Sequence, residues 1–136
     1  MDRRMSNSVI EQWHQVLHHK DMALLSDLLA DNVVFYSPVV HMPQQGKQLT
    51  YMYLYAAANA VYNDTFKYVK EIIDMNQKQA VLEFEVEHDG VLVNGIDMLT
   101  WNEAGKIIEF KVMLRPLKAV NLIHQQMGNM LASMKK

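Results

Sequence analysis

The 136-residue sequence contains no cysteine. That absence excludes disulfides, thiol nucleophiles and thiolate zinc sites together, and leaves no sign of an oxidising compartment. Proline and glycine are scarce, three and five residues, and no linker, repeat or low-complexity segment interrupts the chain. No apolar run approaches the roughly 18 residues of a membrane-spanning helix. The charged start, Met1 to Asn7, leads into no signal-type apolar stretch. A basic surplus is missing too: 13 Lys and Arg face 15 Asp and Glu, for a net charge of −2. Nucleic acid and membrane are therefore not expected partners. These absences lead to the expectation of one cytoplasmic domain over residues 1–136, with 1–7 a frayed terminus.

Half the residues are hydrophobic and 21% are charged, which suits a globular chain with a real core. Methionine is abundant, 11 residues. Its flexible thioether suits irregular cores, pliable pockets and contact surfaces.

Ser8 to His19 places Val9, Ile10, Trp13, Val16 and Leu17 at helical spacing. Asp21 reads as the N-cap of a second helix reaching about Ala30. Val33 to Tyr36 is a short strand ended by Ser37-Pro38, and Val39 to Gly46 is a loop. Lys47 to Tyr62 is a third helix with Leu49, Tyr53, Leu54, Ala57, Ala58 and Val61 on one face. Tyr55 and Tyr62 fall off that face and are expected at an interface. After Asn63 the period becomes two. Phe66 to Asp74 is a strand. Ala80, Leu82, Phe84 and Val86 alternate with Glu83, Glu85 and Glu87 in the next one. His88-Asp89-Gly90 is a hairpin turn, Val91 to Trp101 a strand, and Asn102 to Gly105 a turn. Ile107 to Arg115 follows, with Ile108, Phe110, Val112 and Leu114 on its inner face. Pro116 starts a last helix from about Leu117 to Met134. The order ααβαββββα predicts an α+β fold, with helices on one face of a curved antiparallel sheet.

Phe35-Tyr36-Ser37-Pro38-Val39-Val40, the loop ending in Gly46 and the helix after it resemble the nuclear transport factor 2-like superfamily. So does the run from Gly95 to Ile107. The nearest likeness is to the bacterial SnoaL-like branch, which includes ketosteroid isomerases, and Val112 to Lys118 resembles an uncharacterised subgroup of it. The resemblance spans about Val9 to Leu131. It implies a cone-shaped (cystatin-like) roll with a pocket at its open end, and a homodimer through the outer sheet face. It also implies roles for residues. A ketosteroid isomerase places its general base before the loop proline, where this chain has Ser37. Its oxyanion hole pairs a first-helix tyrosine, here Trp13, with a sheet aspartate, here Asp97. One position of three is retained, and the base is absent. SnoaL-type cyclases use an acidic sheet residue as acid/base, a place Asp97 can take. The arginine-containing relay of related epoxide hydrolases has no match.

Asp97, between Ile96 and Met98 in mid-strand, is the leading catalytic candidate, because burial raises a carboxyl pKa toward neutrality. Its structural alternative is a buried hydrogen bond to Trp13 or a backbone amide. His41, on the expected mouth loop, is the second candidate; a plain surface histidine is the alternative. The expected ligand-binding set is Trp13, Leu17, Ser37, His41, Tyr53, Leu54, Phe84, Asp97, Phe110 and Leu114. Ser37 also reads as a turn residue. His14, His18, His19 and His124 read as solvated helix positions, and His88 as a rim residue. His14 and His18 are four residues apart, but no nearby carboxylate completes a metal site. No phosphate loop or nucleophile elbow is present, and no metal or cofactor is implied. Arg115 is expected at an interface or in an ion pair at the end of its strand. Met98 and Met113 fall on the outer parity, where a dimer face would be, and Met42 on the mouth loop. The sequence thus points to a pocket for a small, largely hydrophobic molecule. Two functions fit it. One is an isomerase, cyclase or hydratase using Asp97; the other is a non-catalytic ligand-binding or dimeric interaction module.

Overall fold

The structure, a computed structural model, describes residues 3–134. Helix α1 runs from Arg3 to His19. Residues 3–7 of the expected frayed terminus are thus helical, and residues 1 and 2 lie outside the described residues. The stripe Val9, Ile10, Trp13, Val16 and Leu17 is buried in the main core. Lys20 takes a positive φ of 51° and ends the helix.

Asp21 caps α2 (Met22–Leu28), accepting a hydrogen bond from the Leu24 amide at 3.1 Å. The helix stops at Leu28 instead of continuing to Ala30. Leu29 and Ala30 turn extended and open β1 (Leu29–Tyr36), where Leu29 pairs with Ile107. Burying both as strand residues outweighs one more helical turn.

The loop expected up to Gly46 contains a two-residue strand, β2 (Gln44–Gln45), paired with β1. Helix α3 spans Lys47–Ala60, and its fully buried positions are Thr50, Leu54, Ala56 and Ala58. The small alanines let it approach the sheet closely. Then come β3 (Lys67–Asp74), β4 (Gln79–His88), β5 (Val91–Trp101) and β6 (Ile107–Arg115), a consecutive antiparallel meander. Helix α4 covers Leu117–Met134. The sheet order is β2-β1-β6-β5-β4-β3, with β1 parallel to β6. Apart from β2, the predicted order stands, and the fold is the expected α+β roll.

Alternation in β4 is as read: Ala80, Leu82, Phe84 and Val86 are buried. In β6 the reading is corrected. Ile107, not Ile108, is fully buried. Thr100 pairs with Glu109 and Trp101 with Ile107, so Ile108 is an extra residue in a bulge. The bulge turns the side chains before Glu109 by one position. At the β4–β5 hairpin, Asp89 and Gly90 have φ of 51° and 77°, the left-handed pair a tight two-residue turn requires.

The outer sheet face carries a polar ladder. Arg115 Nη1 donates to Asn94 Oδ1 at 3.3 Å, and Asn94 Nδ2 donates to Glu83 Oε2 at 3.0 Å. Arg115 therefore reaches the acidic stripe through Asn94 instead of by a direct ion pair. Lys111 Nζ lies 4.9 Å from the Tyr36 ring centroid.

Candidate functional site

Between the inner sheet face and α1, α3 and α4 lies an apolar cavity of about 90 Å³. Helix α1 contributes Trp13 and Leu17, one turn apart. The strand end and the loop after β1 contribute Phe35, Ser37, Pro38 and Val39. Helix α3 and its end supply Leu54, Ala57, Ala58, Val61 and Tyr62, and α4 closes the space with Ile123 and Met127. The sheet floor is Phe84, Asp97, Phe110, Val112 and Leu114. Gly95 makes that floor possible. A Cβ there would meet Phe84 Cζ at 2.5 Å and Leu114 Cδ2 at 2.7 Å, so the missing side chain lets these two close over the strand beside Asp97.

Of the ten residues expected to bind a ligand, eight line this cavity: Trp13, Leu17, Ser37, Leu54, Phe84, Asp97, Phe110 and Leu114. Two do not. His41 is exposed on the loop, whose inward positions are Ser37, Pro38 and Val39, so it faces solvent and not the cavity. Tyr53 precedes Leu54 on α3 and points about 100° away from it; its ring packs on Phe35 at 5.6 Å. Tyr62 is corrected the other way. It lines the cavity and packs on Phe66 at 4.8 Å, because it follows the end of α3 and is freed from the helical period.

The polar centre is a chain of three side chains. Trp13 Nε1–H donates to Tyr68 Oη at 2.8 Å, and Tyr68 O–H donates to Asp97 Oδ2 at 2.6 Å. Indole can only donate, so Tyr68 accepts from Trp13 and keeps its own proton available for the carboxylate. The other Asp97 oxygen has no hydrogen-bond partner among the described residues, and Asp97 lines the cavity. Burial pushes the Asp97 carboxyl from its ordinary 3.8 up to about 7, against the opposing hydrogen bond from Tyr68. Tyr68 is pushed well above the ordinary phenol value by burial and by the neighbouring Asp97 charge. It stays a neutral donor at physiological pH.

Tyr68 was not among the expected site residues. The alternation Phe66-Lys67-Tyr68 signals its inward parity, but β3 has a register shift between Tyr68 and Lys70. Parity counted back from Lys70 and Ile72 therefore puts Tyr68 on the wrong face. His14 is corrected as well. Its Nε2 pairs with Glu71 Oε1 of β3 at 2.7 Å, and its ring meets the Tyr68 ring edge-on at 5.4 Å. Ser37 is a turn residue, its Oγ accepting from the Val39 amide at 3.2 Å. His88 is half-buried and hydrogen-bonds through Nε2 to the Val61 carbonyl, tying β4 to the end of α3. Among the described residues, no three His, Asp or Glu side chains converge as a metal site.

No family model and no curated protein matches this sequence. Solved structures do. A steroid delta-isomerase from Pseudomonas aeruginosa is 29% identical, with a TM-score of 0.88 over 96% of this chain and 93% of that one. An uncharacterised protein with a cystatin-like fold from Silicibacter pomeroyi DSS-3 is 26% identical, with a TM-score of 0.80 over 89% and 83%. The chain has the cystatin-like fold shared by nuclear transport factor 2-like proteins. The epoxide hydrolase/cyclase-like enzyme SalBIII, of pyran ring formation in the polyether salinomycin, shares the fold at 15% identity and a TM-score of 0.65, over 84% and 93%. Trp13 and Asp97, the pair that the resemblance suggests for an oxyanion hole, are joined in this structure through Tyr68. Ser37, where the resemblance expects a base, lines the cavity but offers no carboxylate.

Proposed function

We propose that this chain binds a small, largely apolar molecule in the cavity and uses Asp97 as a single acid/base group on it, in an isomerase-, cyclase- or hydratase-type step. The observation that carries the reading is the Asp97 carboxyl. One oxygen is held by Tyr68, the other faces an otherwise apolar space, and its pKa of about 7 keeps both protonation states populated near neutrality. Protonated Asp97 can donate to a carbonyl or leaving oxygen. Ionised Asp97 can accept a proton and return it elsewhere on the same molecule. With Ser37 unable to act as a base, both halves of such a transfer fall to one carboxyl group. Loss of that second group is also what favours the alternative, a ligand-binding module without turnover.

Cyclohexanone, cyclohexanol and cyclohexane, titrated by calorimetry, test the cavity. Saturable binding of the ketone is expected at pH 6, where Asp97 can donate, weakening about tenfold by pH 8 as the donor proton is lost. The alcohol should bind at both pH values. If none of the three saturates, the interior is a filled core and the reading fails.

The chain is also proposed to pair with a second copy through the outer sheet face. Leu92 and Met113 are exposed there, and Met98 is half-buried. Light scattering should give twice the chain mass; a monomer mass across micromolar concentrations excludes the pairing.

A further inference from the structure

A second hollow, of about 310 Å³, opens between the end of α1 and the segment from Tyr62 to Tyr68. Its character is opposite to that of the cavity. His14, His18, His19 and Lys67 face it, no carboxylate lines it among the described residues, and Glu71 of β3 is held by His14. Leu17, Tyr62 and Phe66 line both spaces, so the partition between them is one side chain thick. Tyr68 also spans it, lining the hollow while its hydroxyl bonds Asp97.

We propose that the hollow is a head-group site for an apolar monocarboxylate, whose hydrocarbon tail displaces the Leu17, Tyr62 and Phe66 side chains of the shared wall to enter the cavity. The site would take the carboxylate by charge-assisted hydrogen bonds from the Lys67 ammonium and the imidazole N–H groups of His18 and His19. The tail would lie among aromatic walls and reach Asp97. An anion of this kind needs a cationic space and an apolar space that share a wall, which is what α1 and the Tyr62–Tyr68 segment create. This assignment rests on the cavity reading above, and it narrows the ligand to an acid.

The test compares sodium hexanoate with 1-hexanol at pH 6, where Asp97 is largely neutral and does not repel the acid. Hexanoate should bind about tenfold more tightly than hexanol in the native protein. In a variant carrying Lys67→Gln, His18→Gln and His19→Gln, that preference should vanish while hexanol affinity stays unchanged. All three residues are exposed and outside the cavity, so the variant should fold. Equal affinity for the two probes, or a preference that survives the triple substitution, overturns the head-group site. If cyclohexanone still saturates in either case, only this proposal falls. If cyclohexanone also fails, the cavity reading falls with it.

Discussion

Asp97→Asn is expected to stabilise the protein at pH 8 by about 4 kcal/mol and to leave it unchanged near pH 3.5. The folded carboxyl has a pKa of about 7 against an ordinary 3.8. Between those values the native state holds a proton that the unfolded state has released. Stability from this group is therefore fully present below about pH 3.8, declines as pH rises, and is gone above about 7. Asparagine keeps the uncharged shape, and its carbonyl can still accept from Tyr68, so the variant lacks this decline. Urea unfolding of both proteins from pH 3.5 to 8 measures it, and at pH 8 the melting temperature of the variant should be higher by roughly 10 °C. Tyr68→Phe should act in the opposite sense on the same transition. It removes the hydrogen bond that favours the ionised form, so the Asp97 titration, followed by carboxyl NMR, should move above 7. Parallel pH curves for native protein and Asp97→Asn would show that Asp97 ionises as an ordinary exposed carboxylate, and its acid/base role would go with that.

Phe110→Ala should cost about 4 kcal/mol, within the range for emptying a buried phenyl site. Phe110 is 1% exposed. Its ring meets Trp13 edge-to-face at 4.9 Å and Phe35 at 6.0 Å, so the loss removes two aromatic contacts as well as burial. Phe110 is also part of the cavity floor, and the vacated space joins a cavity of about 90 Å³. The vacated phenyl volume adds directly to that space and gives an apolar ring more room than in the native protein. Toluene should therefore bind Phe110→Ala more tightly than the native protein and restore part of its stability by mass action. Denaturant midpoints with and without toluene decide this. A loss under about 1 kcal/mol would mean the ring is not a packing keystone of the floor.

Elements with strong period and clear punctuation were readable in the chain itself. The α1 stripe, the Asp21 cap, the β4 alternation, the Asp89-Gly90 turn and the span of α4 each follow from local chemistry. Their boundaries slipped where long-range pairing intervened. Leu29 and Ala30 left α2 because β6 offers them a partner strand, and Ile108 lost its inward place to a bulge. Part of the cavity wall was legible for the same reason, since inward parity and helical spacing select apolar residues on one side. His41 and Tyr53 were misplaced because a loop has no period and because a tyrosine can satisfy a helix face without reaching the cavity.

By itself, the sequence determined the α+β order, the absence of thiol chemistry, and a lone carboxylate in mid-strand at Asp97. Periodicity and composition act over a few residues, and those properties are local. The tertiary structure decided that Asp97 is bound by Tyr68 and, through it, by Trp13, 55 residues from Tyr68 along the chain. It also decided that Glu71 belongs to His14, and that a hollow lined by His18, His19 and Lys67 shares a wall with the apolar cavity. Hydrogen bonds and enclosed spaces depend on which distant segments meet, and the β3 register shift that sets the direction of Tyr68 exists only once β3 lies against β4.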